Sequence, residues 1–124
     1  MSPELLTAWA EKELEEVLGE LPEDIRVSAS ECPVRLLMEP TPLQREEMGE
    51  EVWGLLGLFE GCSRMEGFPS SPDQVPRISL FLNTLWDEAE EDRSLFCEEV
   101  RITYLHELGH YLGWDEEQVE SYGL

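Results

Sequence analysis

Basic residues are scarce in this sequence: one Lys and seven Arg stand against 29 Asp and Glu in 124 residues, a net charge of −21. A nucleic-acid surface needs Lys and Arg to neutralise phosphates, so this balance argues against one. Long apolar runs are also missing. The longest covers residues 52–59 and contains two glycines, whereas a membrane helix needs about 20 apolar residues. The start, Met1-Ser2-Pro3-Glu4, lacks the basic and apolar stretches of a secretory leader, and the expectation is a cytoplasmic protein. Cysteines number three, Cys32, Cys62 and Cys97, with no CxxC pair. That argues against a disulfide framework or a structural zinc knuckle, and each is expected as a small apolar side chain in or near the core. Charge of this size mainly gives solubility and self-repulsion, with a preference for cationic substrates or partners as the lesser reading.

What is present suits one globular domain over residues 1–124, with 41% hydrophobic and 30% charged residues. Leu5, Leu6, Trp9, Ala10, Leu14, Val17 and Leu18 recur at helical spacing, predicting a helix over 3–19 with Ser2 as N-cap, Pro3 in the first turn and Gly19 as C-cap. A strand is expected at 34–38, ended by Pro40 and Pro42. Residues 44–59 begin like a helix, but Gly54 and Gly57 weaken that reading. Residues 61–76, rich in Gly, Pro and Ser, read as a long loop. The clearest strand is 77–82, where Ile78, Leu80 and Leu82 alternate with Ser79, Phe81 and Asn83. An acidic run at 87–92 reads as a solvated connection. A helix follows over 94–112, with Ser94 as N-cap, an apolar stripe of Ile102, Leu105, Leu108 and Leu112, and Gly113 as its stop; a short helix is expected over 116–122. The order of elements is that of an α+β domain.

The chain has two histidines, and both fall in His106-Glu107-Leu108-Gly109-His110, an HExxH motif. Residues four apart on a helix share a face, so two imidazoles so placed can reach one Zn²⁺. Glu107 follows the first of them and can accept a proton from water activated by the metal. Catalytic zinc sites usually have three protein ligands. Gly113 can turn the chain back, and Glu116 then completes HExxHxxGxxE; Asp115, Glu117 and Glu120 compete with it. Cys97 lies nine residues before His106, about 13 Å along the helix axis, too far to share the metal. A fourth position left to water is the catalytic pattern.

The segment 99–124, with HELGHYLGWDEEQVESYGL at its heart, resembles the short bacterial zincin-like metallopeptidase family, the minimal zincins. Leu55-Leu56-Gly57-Leu58-Phe59-Glu60-Gly61 and Pro76-Arg77-Ile78-Ser79-Leu80 are similar to further family segments, and the acidic first helix ending in Leu21-Pro22 also fits. HExxHxxG points to zincins in general; the LLGLFEG stretch points to this family. The resemblance implies a minimal zincin-like domain, a small sheet packed on the N-terminal helix and the HExxH helix. It implies zinc on His106 and His110, Glu107 as base, and Glu116 where the family usually has Asp. Metzincins need a methionine turn after the motif, and Met1, Met38, Met48 and Met65 all precede it.

The reaction so implied is hydrolysis of a peptide or protein substrate. An extended peptide is expected to add to an exposed strand beside the metal, with 78–83 as the candidate. Tyr111 or Tyr122 is an available oxyanion donor, although ordinary packing is the plainer role for each. The competing reading is a zinc-binding regulatory or interaction module with little turnover, motivated by the short chain. An acidic interaction protein without metal has the paired histidines against it.

Overall fold

Ser2 opens the first helix by accepting the Leu5 N–H on its hydroxyl (3.3 Å). With Pro3 at the first helical position, α1 runs over Pro3–Glu20 and buries Leu6, Ala10 and Val17. Its C-cap is Leu21, in extended conformation before Pro22, rather than Gly19. The structure, a computed structural model, describes residues 1–121, without the side chains of Glu116 and Val119.

Helix α2 (Glu23–Ala29) was not expected from the sequence. It is seven residues long and has no side-chain cap, too short for a helical period to show. Strand β1 (Val34–Leu37) follows. Residues 44–59 resolve into three pieces, starting with α3 (Pro42–Met48), which Thr41 and Gln44 cap reciprocally. A 3-10 segment over Gly49–Gly54 then leads into strand β2 (Gly57–Glu60). The loop at 61–76 holds 3-10 turns at Arg64–Glu66 and Pro72–Gln74. Strand β3 (Arg77–Phe81) passes directly into α4 (Leu82–Glu88), so Leu82 and Asn83 are helical rather than strand residues. The acidic connection includes Glu90 and Glu91, both with positive φ. Helix α5 (Arg93–Leu112) carries the motif, and α6 (Glu116–Ser121) ends the described chain. The N-cap of α5 is Asp92, whose carboxylate accepts the Leu95 N–H at 2.9 Å; Ser94 sits inside the first turn.

The three strands order as β1-β3-β2, with β1 parallel and β2 antiparallel to β3. The fold is α+β, a three-stranded mixed sheet with helices, in agreement with the minimal zincin-like domain expected from the sequence. Its central strand is covered on both sides: Ile78, Ser79, Leu80 and Phe81 are all fully buried. Ile78 and Leu80 join the main core with Leu6, Ala10, Phe96, Val100, Tyr104 and Leu108. On the opposite face the Ser79 hydroxyl accepts from Gln44 Nε2 (3.3 Å) and Arg35 Nη2 (3.1 Å). The alternation read from residues 77–82 therefore missed that the Ser79 face is covered as well, by the side chains of Gln44 and Arg35. Among the described residues no helix is long and apolar enough to cross a membrane.

Of the stripe expected on α5, Leu108 is buried and Leu105 and Leu112 pack half-buried against the core, while the centre of the buried face is turned toward Phe96, Val100 and Tyr104. Ile102 is exposed, and the buried positions are Phe96, Val100, Thr103, Tyr104, Glu107, Leu108, Gly109 and Tyr111. Aromatic rings remove more apolar area from water than Ile or Leu at the rim, and they set the helix's rotation. Strand β2 lies close against this helix because Gly57 has no side chain; a Cβ there would stand 2.7 Å from Thr103 Cγ2. Gly57→Ala is expected to destabilise the protein by about 1–3 kcal/mol through overpacking, read as a lower denaturation midpoint. An unchanged midpoint would mean that β2 does not need this close approach.

Candidate active site

One turn of α5 brings together three of the four residues singled out in the sequence. The His106 and His110 rings lie with centroids 4.9 Å apart and planes at 81°, as i and i+4 positions on one helical face should. His106 is half-buried and His110 exposed. Glu107, between them in sequence, turns inward. It is only 9% exposed, and its Oε1 stands 4.0 Å from His110 Nε2, too far for a hydrogen bond. Its other oxygen, Oε2, is buried with no hydrogen-bond partner. Burial pushes the Glu107 carboxyl upward, partly offset by His106.

Glu107 and His110 line an open cleft of about 440 Å³ together with Leu58, Phe59, Ser63 and Glu66. The strand beside the motif is therefore β2, at the edge of the sheet. The strand proposed from sequence to receive a peptide, 78–83, is central and already paired on both sides, so it has no free edge to offer. The ladder alternation shows which groups of β2 are open. Phe81 N–H donates to Leu56 O at 2.9 Å, and Leu58 and Glu60 then face β3 in the same phase. Gly57 and Phe59 direct their N–H and C=O groups to the open side.

Tyr111 does not line this cleft. Its hydroxyl donates to Glu31 Oε2 at 3.1 Å, and its ring lies 6.0 Å from that of Phe59. Glu31 also pairs with Arg64 Nε at 3.3 Å. The phenol is thereby held against a separate cavity of about 590 Å³. Tyr122 lies outside the described residues.

Beyond the motif, Gly113 takes the left-handed conformation, φ 77° and ψ 22°, as a helix C-cap requires. Trp114 N–H returns to Gly109 O at 2.9 Å. Asp115 is committed to the next helix: its carboxylate accepts the Gln118 N–H (2.8 Å), while the Gln118 side chain accepts the Asp115 N–H (3.1 Å). Glu117 and Glu120 are exposed. Glu116 opens α6, but its side chain lies outside the described part. Among the described residues no group of three His, Cys, Asp or Glu is arranged to hold a metal. The donor set still suits zinc, because two imidazoles share one small space and a buried carboxylate oxygen beside them lacks a donor.

Leu58, Phe59, Ser63 and Glu66 had not been singled out individually. The signal for the last two was legible: Ser63-Arg64-Met65-Glu66 is a capping-box sequence, and the structure forms that box.

A family model described as zincin-like metallopeptidase matches residues 30–124. The chain belongs to that family, and membership implies zinc and peptide or protein substrates. No curated protein matches the chain.

The chain reversal after the motif depends on Gly113 twice over, since a Cβ there would also collide with the Met65 side chain. Gly113→Ala is expected to cost about 1–2 kcal/mol from the left-handed backbone alone, with a further loss from the collision. Adding Met65→Ala should recover the second part only. Full recovery in the double variant, measured by denaturant unfolding, would show that the backbone conformation carries no cost.

Proposed function

We propose that this zincin-like metallopeptidase hydrolyses peptide bonds with zinc held by His106, His110 and Glu116, and with Glu107 as general base. The observation that carries the reading is the Glu107 carboxylate, buried and with one oxygen unpartnered, beside two imidazoles that share a helical face. Pure metal binding has no use for a carboxylate held in that way. When bound, zinc supplies Lewis acidity that polarises a carbonyl and acidifies water.

The protein's own residues do the rest. Glu107 takes a proton from the attacking water and delivers it to the nitrogen of the leaving amine as the C–N bond breaks. Burial favours its neutral form, which makes it a stronger base than an exposed carboxylate. The substrate lies extended along β2 and pairs with the open N–H and C=O groups of Gly57 and Phe59. This places a peptide backbone along the cleft that Glu107 and His110 line. Asp115 is occupied as a cap, which leaves Glu116 the better third ligand.

Metal analysis after zinc-replete expression should find about one equivalent in the wild type. His106→Ala should lose most of it, and Glu116→Ala should lose more than Asp115→Ala. Less than half an equivalent in the wild type, or the reverse order of the two carboxylate variants, would overturn the ligand assignment. On a diverse peptide library Glu107→Gln is expected to lower turnover by about 10²-fold or more while keeping its zinc. Equal traces of hydrolysis in both proteins would reject the base and favour a zinc-binding module.

A further inference from the structure

We infer that Glu66 is a specificity-determining residue of the cleft, its carboxylate pairing with a cationic nitrogen of the substrate. That nitrogen belongs to a Lys or Arg side chain or to the substrate's terminal ammonium. The inference rests on the peptidase reading above.

Glu66 is pre-positioned. It is the last residue of the Arg64–Glu66 turn, and its Oε1 accepts the Ser63 N–H at 2.9 Å. The Ser63 hydroxyl completes the box by accepting the Glu66 N–H. Both interactions lie within one turn, so the carboxylate is held at the cleft without help from substrate. Hydrogen bonding to Ser63 also keeps the carboxyl below the usual range, and hence charged.

No cation answers that charge. Among the described residues Ser63 is the only partner of the Glu66 side chain, and no Lys or Arg lines the cleft. Arg64, two residues away, pairs with Glu31 at the cavity that Tyr111 lines. Arg77 and Arg35 pair with Glu60, at 3.4 and 3.7 Å. Glu107 is the other carboxylate in the lining, and it is committed to proton transfer. Glu66 is left as an ionised, exposed group with a free coordination side, in the same cleft lining as Leu58 and Phe59. The net charge of −21 adds a long-range field that favours cationic ligands.

The test compares wild type, Glu66→Gln and Glu66→Lys on matched peptides. The set differs only in Lys or Arg against Ala along the sequence, and in free against acetylated N-termini. Glutamine retains an oxygen for the capping box, so the turn should survive that change. Glu66 is exposed, so the wild type should prefer cationic peptides by about 2- to 5-fold in kcat/KM, as for a solvent-exposed ion pair. The preference should fall as salt is added, drop in Glu66→Gln to the remainder that the overall charge supplies, and drop further in Glu66→Lys. Loss of the preference on acetylation alone would identify the terminal ammonium as the partner; loss on replacing Lys or Arg alone would identify the side chain.

A cationic preference that Glu66→Gln leaves unchanged, or equal rates on cationic and neutral peptides, would overturn the inference and leave the peptidase reading intact. If the wild type cleaves none of the peptides, the peptidase reading fails. Fluorescence anisotropy of the same peptides on Glu107→Gln then decides the role of Glu66. Charge-dependent binding abolished by adding Glu66→Gln would support it, and charge-independent binding would overturn it.

Discussion

Phe96, Val100, Tyr104 and Leu108 are buried along one stripe of α5, and burying that stripe fixes the rotation of the helix about its axis. Once the rotation is set, the direction of every other side chain on α5 follows at 100° per residue. The two histidines are turned to the rim, where an ion and a substrate can reach them. Glu107 falls at the boundary between core and cleft. A carboxylate at such a boundary loses hydration without losing access, which is the physical origin of its raised pKa. The core and the candidate site are therefore two consequences of one packing decision.

The sheet is placed by the same helix. Gly57 lets β2 approach α5 at Thr103, and the antiparallel pairing with β3 leaves the outer side of β2 free beside Glu107. Unpaired edge groups are normally a liability in a small protein. Here the edge is short, four residues, and it borders the cleft. The loop at 61–76 closes the remaining side. It is tied down by the Arg64–Glu31 pair and by the Cys62 N–H on Gln74 O at 2.7 Å. A long loop is thus anchored, although Phe68 at its tip is almost fully exposed.

Much of the local structure was readable because its causes are local. Ser2 and Pro3 started α1, and Gly113 ended α5, since caps depend on residues within one turn. Where the sequence reading slipped, either two local signals competed or something distant had intervened. Asp92 displaced Ser94 as N-cap, an ambiguity between two good capping residues two positions apart. Helix α2 was missed because seven residues are held by packing of Ile25 and Ala29 into the core rather than by an intrinsic pattern. The stripe on α5 held at Leu105, Leu108 and Leu112 but not at Ile102, because several faces of that helix carry apolar residues and only the opposing surface selects among them.

HExxH on a helix, its two histidines and the Gly113 turn were determined by the sequence alone, because i, i+4 geometry is a property of the helix and needs no partner. The α+β class was likewise legible from the order of periodic segments. Tertiary structure decided that β3 is the middle of the sheet and β2 its open edge, since strand order is a matter of which faces and edges find cover. It decided that Tyr111 is held by Glu31 and that Glu66 stands at the cleft. Each of these depends on a meeting between segments far apart in the chain, or on competition for a partner, and neither is written in local spacing.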